Sequence, residues 1–338
     1  MLRLLLLASL TACANLTPAP EVPAPRYAIA IHGGAGSPSR DMSPEHRADL
    51  RDGLQHALEL AQMKAEAGAP ALDIVEAVIR TLEDNPNFNS GRGAVYTAEE
   101  AHELDSSIMD GATLACGGVG GVTTVRHPIT LARKVMEETR HVLFVADGAE
   151  AFADTQDVER VPNTWFDTED NRKYLHSVLD ERAGKTASVV DPDAPASSFG
   201  TVGCVVLDTH GNLAAGTSTG GLTAKMFGRI GDSPIIGAGT FADNKTCGVS
   251  GTGVGEEYIR NSIARDIAAR MEYLGESVTE AAEHAMFEVL EPGVGGVICV
   301  SNDGEIALVY NTTGMLRAAA DSDGRFEVLI WEDPEELR

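Results

Sequence analysis

Gly200-Thr201-Val202-Gly203-Cys204-Val205-Val206-Leu207-Asp208, residues 200–208, is the stretch on which the fold turns. Its apolar and β-branched side chains are those of a buried strand. Residues 212–218 answer it as a second strand, with Thr209-His210-Gly211-Asn212 as the turn of a hairpin. Just upstream, residues 182–198 (RAGKTASVVDPDAPASS) show no period and are rich in Ala, Ser, Pro and Asp, which predicts a mobile linker. A threonine that opens a strand is ordinarily only a β-branched strand residue. Thr201 needs further residues around it before it means more.

Working outward, residues 27–32 (YAIAIH) read as a short strand running into Gly33-Gly34-Ala35-Gly36. Helical spacing of apolar residues follows over 45–66 and 70–84, then over 128–138 and around 170–179. Strand signals lie at 94–97, 103–109, 118–125 and 142–146. Amphipathic helices are expected over 256–271 and 276–290, and a hairpin over 296–310 around Asn302-Asp303-Gly304. Hairpin-linked strands with helices between them indicate α+β layers with an antiparallel component.

The 338 residues carry 26 Lys plus Arg against 51 Asp plus Glu, a net charge of −25, which argues against a nucleic-acid partner because phosphate binding needs clustered cations. Aromatics are 5% and glycines number 35, a balance that favours an acidic small-molecule enzyme. At the N-terminus, residues 1–13 (MLRLLLLASLTAC) have one cation, a seven-residue apolar run too short to span a bilayer, and then Leu10-Thr11-Ala12-Cys13. These features predict a lipoprotein signal peptide over 1–12 and a lipid on Cys13. A Pro-rich tether over 13–26 then leads to an exported protein on the periplasmic face of a Gram-negative outer membrane, touching the membrane only through its anchor. Cys116, Cys204, Cys247 and Cys299 form no C-x-x-C pair; Cys204 and Cys299 fall in apolar strand-like runs and read as small hydrophobes, with a disulfide in an oxidising compartment as the alternative.

Gly216-Thr217-Ser218-Thr219-Gly220 fits the G-x-S-x-G pattern of a serine nucleophile, but glycines rather than a helix follow it. Phosphate-binding glycine motifs and zinc-type histidine motifs do not occur. What lifts Thr201 out of the ordinary is its company. Thr219 lies one hairpin away. Gly228-Arg229-Ile230-Gly231-Asp232 sets a cation and an anion three residues apart, and Gly251-Thr252-Gly253 sets a hydroxyl in flexible backbone.

These words resemble the isoaspartyl peptidase / plant-type L-asparaginase family of N-terminal nucleophile hydrolases. The matching stretches, in order, are 32–36 (HGGAG), 88–93 (FNSGRG), 103–111 (ELDSSIMDG), 200–203 (GTVG), 217–221 (TSTGG), 228–234 (GRIGDSP) and 250–253 (SGTG). The resemblance implies a four-layer αββα sandwich that cuts its own Gly200–Thr201 bond into an α subunit (27–200, with the linker at about 182–199) and a β subunit (201–338). Thr201 would then be both nucleophile and, through its new α-amine, base. By the same resemblance Thr252 and Gly253 form the oxyanion hole, and Thr219 tunes the nucleophile. Asn89 helps to hold the amine, while Arg229 grips a substrate α-carboxylate and Asp232 its α-ammonium. No cofactor is implied for the chemistry. A structural sodium ion is implied on the main-chain carbonyls of Leu82, Glu83, Asn85, Phe88, Ser90 and Arg92; carbonyl ligands are blind to side chains, so the cationic Arg92 is no direct obstacle. The expected substrates are L-asparagine and β-aspartyl dipeptides, and the expected assembly is an (αβ)2 homodimer. Glycosylasparaginase is the neighbouring alternative, and a non-catalytic, lipid-anchored amino-acid binding protein is the alternative of a different class. His32 reads as a structural residue beside a turn.

Overall fold

The computed structural model describes residues 26–185, 200–226 and 228–331. The signal and tether expected over 1–25, and most of the linker expected up to 199, lie outside the described residues. Strand β1 (Ala28–Gly36) is central to an eight-stranded sheet, with β11 (Gly314–Asp321) on one side and β5 (Val202–Leu207) on the other. Beyond β5 come β6 (Leu213–Thr219), β2 (Leu104–Asp110), β3 (Cys116–Val122) and the edge strand β4 (Leu143–Val145); β12 (Phe326–Leu329) closes the opposite edge. Every pair is antiparallel except β3 with β4. A second, antiparallel sheet holds β10 (Ile306–Tyr310), β9 (Gly295–Ser301), β8 (Cys247–Gly253) and β7 (Thr240–Ala242), in that order.

Helices α1 (Pro44–Glu66), α2 (Ala71–Glu83) and α3 (Pro128–Glu138) cover the large sheet. In α1 the apolar residues Leu50, Leu54, Ala57, Leu58, Ala61 and Ala65 repeat at three and four and are all buried. Ser43 caps this helix by accepting from the His46 N–H, with Pro44 in its first turn. The N-terminus of α2 is bonded from outside: Asp208, in the turn between β5 and β6, accepts from the Ala71 N–H at 2.9 Å. Strands β1, β5 and β6 pack with their other face on β8 and β9, and a second apolar core fills that interface. The second sheet is covered by α7 (Ile263–Leu274) and α8 (Val278–His284).

Three expectations change. Residues 94–97 form no strand; only Thr97 makes an isolated bridge, to Lys225. The helix expected over 256–271 is broken at Ser262, which takes a left-handed φ of 52° between α6 (Gly255–Asn261) and α7. The helix expected over 276–290 starts with a Ser277–Glu280 capping box and turns π-helical at Ala285–Val289. The sequence reading passed over α4 (Ala146–Ala153), whereas α5 (Glu169–Arg182) contains the helix expected around 170–179.

Candidate active site

The antiparallel register of β5 and β6 pairs Val202 with Ser218 and Gly203 with Thr217. One step further along that register faces Thr201 with Thr219. Thr252 comes from β8, on the sheet packed against them. All three threonines are buried. A side chain added at Gly200 would meet the Thr252 hydroxyl at 3.0 Å, so Thr252 lies against the residue preceding Thr201. Thr252 Oγ1 accepts from the Ala35 N–H at 3.3 Å, and Thr219 Oγ1 accepts from the Gly221 N–H at 2.9 Å. With a backbone N–H on its acceptor side, each hydroxyl keeps its proton for another group.

Behind Thr201 stands His32, which the sequence reading left out of the catalytic set. Its Nδ1 lies 2.9 Å from the Thr201 carbonyl oxygen, and its Nε2 lies 2.9 Å from Ser250 Oγ. A carbonyl can only accept, so the ring proton belongs on Nδ1 and Ser250 donates to Nε2. Burial drives the imidazole pKa down to about 3, which keeps it neutral. The hydroxyls continue inward from Ser250 Oγ to Thr217 Oγ1 at 2.7 Å and to Thr240 Oγ1 at 2.5 Å, then to Ser107 at 2.9 Å. Ser107 ends the chain at the Ser233 carbonyl, 2.6 Å away. Gly203 makes room for it, because a Cβ there would sit 2.0 Å from Ser250 Oγ and 2.3 Å from His32 Nε2. The word HGGAG was the available signal for His32, but the hydroxyls come from strands far apart in sequence.

Arg229 and Asp232 do not pair with each other. Arg229 is held by Glu256, from Nε to Oε1 at 2.9 Å and from Nη2 to Oε2 at 2.8 Å. Asp232 is buried with its Oδ2 unpartnered, and desolvation raises its pKa to about 7. Asp105 lies beneath this loop, also buried, accepting from the Gly121 N–H at 2.8 Å and with its own Oδ2 unpartnered. Lys225 is buried close by and donates to the Glu103 carbonyl at 2.8 Å. Two buried carboxyls, each with one oxygen lacking a donor, thus share this region with the Arg229 guanidinium and the Lys225 ammonium, and desolvation raises the pKa of both carboxyls.

Asn89 spends its amide on the loop that follows Thr219. Its Nδ2 donates to the Gly221 carbonyl at 2.8 Å and its Oδ1 accepts from the Val95 N–H at 3.1 Å. Ser218, the serine of the G-x-S-x-G word, is buried and donates to Glu83 Oε1 at 2.7 Å. Glu83 is buried too, and desolvation raises its carboxyl to about 8, so it is protonated at neutral pH. Around it the loop over 82–93 coils tightly: a Cβ at Gly91 would be 2.2 Å from the Glu83 carbonyl oxygen, and one at Gly93 would be 2.2 Å from that of Phe88. Arg92 turns its head aside, donating to the Asp167 carbonyl at 2.6 Å and lying 5.4 Å over the Trp165 ring. That is a carbonyl-rich turn with its one guanidinium tied elsewhere. Among the described residues, no cluster of three or more His, Cys, Asp or Glu side chains could hold a metal, and Cys116, Cys204, Cys247 and Cys299 are free thiols.

Buried threonines from both sheets thus meet where the sheets pack, with Arg229 and Asp232 in the loop that follows β6. The chain belongs to the asparaginase family, whose model matches residues 25–330. It is 45% identical over 324 residues to the probable isoaspartyl peptidase/L-asparaginase 2 of Arabidopsis thaliana, covering 90% of this chain and 99% of that protein. It is 46% identical to the isoaspartyl peptidase of Escherichia coli K12, over 86% of this chain and 91% of the relative. The human isoaspartyl peptidase/L-asparaginase is 38% identical over 91% of this chain and 96% of its own. These relatives correct the expectation of an outer-membrane lipoprotein anchored at Cys13. They are named as peptidases and asparaginases, not lipoproteins, and the family match starts only at residue 25. Among the described residues no helix is long and apolar enough to cross a membrane.

Proposed function

We propose that this chain is a self-processing threonine hydrolase that cleaves β-aspartyl dipeptides and the side-chain amide of L-asparagine, releasing L-aspartate. The observation that carries this reading is the placement of the Thr252 hydroxyl against Gly200, the residue that precedes Thr201. Thr201 Oγ attacks the Gly200 carbonyl carbon, the peptide C–N bond gives way to an ester, and water hydrolyses the ester. A carboxylate is left on Gly200 and a free α-amine on Thr201. That amine, with an ordinary pKa of ~7.7–8.0, takes the proton of its own hydroxyl in the next cycle.

On substrate, Thr201 Oγ attacks the β-carbonyl carbon. Thr252 Oγ1–H and Gly253 N–H donate to the oxyanion, each such donor being worth about 2.7–4 kcal/mol of barrier. The leaving amine departs, and water releases aspartate from the ester. Thr219 donates toward the nucleophile. Asn89 acts through the loop that it bonds and on the freed amine. Arg229 takes the substrate α-carboxylate, and the unpartnered Asp232 Oδ2 takes the α-ammonium, so a free amino-acid head is favoured. The relatives' names, which join isoaspartyl peptidase to L-asparaginase, support both substrates.

In the same reading, the sheets and their helix layers form the four-layer αββα sandwich of N-terminal nucleophile hydrolases, with subunits 27–200 and 201–338. The carbonyls of Leu82, Glu83, Asn85, Phe88, Ser90 and Arg92 hold a sodium ion that shapes the loop and takes no part in the chemistry. Processed precursors pair as (αβ)2, and the exposed Val142, Leu143 and Val145 at the edge of the large sheet support such a contact. The test is electrophoresis with N-terminal sequencing of the purified protein. Two bands are expected, the smaller beginning at Thr201, and Thr201→Ala should remain a single inactive chain. An uncut wild-type chain that still hydrolyses asparagine overturns the proposal.

A further inference from the structure

A guanidinium offers two forked edges, one through Nε and one through the two terminal nitrogens. In Arg229 the Nε edge is taken: Glu256 accepts from Nε at 2.9 Å and from Nη2 at 2.8 Å. The end-on edge stays open, since Nη2 has a second hydrogen and Nη1 carries two. Glu256 is the second residue of α6, after Gly255, and a Cβ at Gly255 would lie 2.8 Å from Asp232 Oδ1 and 2.9 Å from Arg229 Nη2. The start of one short helix therefore touches both charged members of the clamp. Arg229 is largely enclosed, with 18% of its side chain exposed, whereas Glu256 is 48% exposed.

We propose that Glu256 is a positioning residue for the substrate clamp: by occupying the Nε edge of Arg229 it fixes the plane of the guanidinium and presents the end-on edge to the α-carboxylate of the substrate. The inference rests on the proposed reading of Arg229 as the carboxylate grip. Without Glu256 the long arginine side chain regains its rotamers and must be ordered by the substrate instead, at a cost in affinity. The chemistry at Thr201 lies beyond this contact, so the effect belongs in KM rather than kcat.

Glu256→Gln and Glu256→Ala are tested on the processed enzyme with L-asparagine, β-aspartyl-leucine and L-aspartic diamide, in which a carboxamide replaces the α-carboxylate. Gln keeps an acceptor for one arginine N–H, so KM for the two carboxylate substrates should rise about fivefold in Gln and about thirtyfold in Ala, with kcat within threefold of wild type. For the diamide, kcat/KM should change less than twofold, because Arg229 has no carboxylate to grip. A falling KM means that Glu256 competes with substrate and overturns the proposal. An unchanged KM, or equal losses on the diamide, also overturns it. A wild-type enzyme inactive on every one of these substrates would instead refute the underlying reading of the site.

Discussion

Asp232 carries the most exacting chemistry of any single residue in the proposed clamp. Its carboxyl is buried, one oxygen has no donor, and its pKa is raised to about 7 by desolvation. A bound ammonium would pull that pKa down, so below about pH 7 binding must release a proton. KM for L-asparagine is therefore expected to climb as pH falls from 7, approaching tenfold per unit, as read from initial rates across pH 5.5–8. A flat KM would show that Asp232 meets no cation. How much of this was legible differs from residue to residue. Thr201, Thr219, Thr252, Arg229 and Asp232 stood in short motifs and could be singled out in the chain. Glu256 could not, because nothing in a Gly-Glu-Glu sequence announces which arginine it will meet. His32 was visible in its motif, but its partners were not.

At the scale of elements, periodicity located α1, α2, α3 and the β5–β6 hairpin because each buries one regular face. It failed where tertiary contacts break the period. The segment 256–271 reads as a single amphipathic helix, yet the chain turns at Ser262, where α7 begins with Ala264 and Arg265 bonded to the Ala238 and Gly237 carbonyls. That turn costs Ser262 a left-handed φ of 52°, which a glycine adopts freely. Ser262→Gly is expected to leave activity unchanged and to raise Tm by a few degrees, corresponding to about 1 kcal/mol of relieved strain. A lower Tm would show that the serine side chain earns its place. The segment 94–97 fails in the opposite sense: its residues suit a strand, but only Thr97 finds a bridging partner, and the others follow the loop around Asn89.

At the scale of the whole molecule, the interface between the sheets is apolar in its body and polar beside the site, where hydroxyls from β2, β6, β7 and β8 join His32 on β1. Buried titrating groups make the stability of this arrangement depend on pH in two directions. His32, held near 3 against an ordinary 6.5, binds a proton more readily when unfolded, so its contribution is lost as pH falls below 6.5. Glu83, raised from 4.5 to about 8, binds its proton more tightly when folded, so its contribution is lost as pH rises from 4.5 to 8. Glu83→Gln keeps the shape without the titration. Its Tm relative to wild type should increase steadily between pH 4.5 and 8, as measured by thermal melts. A difference independent of pH would show that the Glu83 carboxyl is already ionised in the fold.

The chain itself determined the strand at 202–207, its hairpin partner, the main helices and the family, because local pattern and short motifs are properties of neighbouring residues. The tertiary structure alone decided which groups meet: Thr252 against Gly200, Glu256 on Arg229, and five polar side chains in line behind Thr201. The physical reason is that a hydrogen bond or ion pair depends on separations of about 3 Å in space, whereas these partners lie tens to more than two hundred residues apart in sequence.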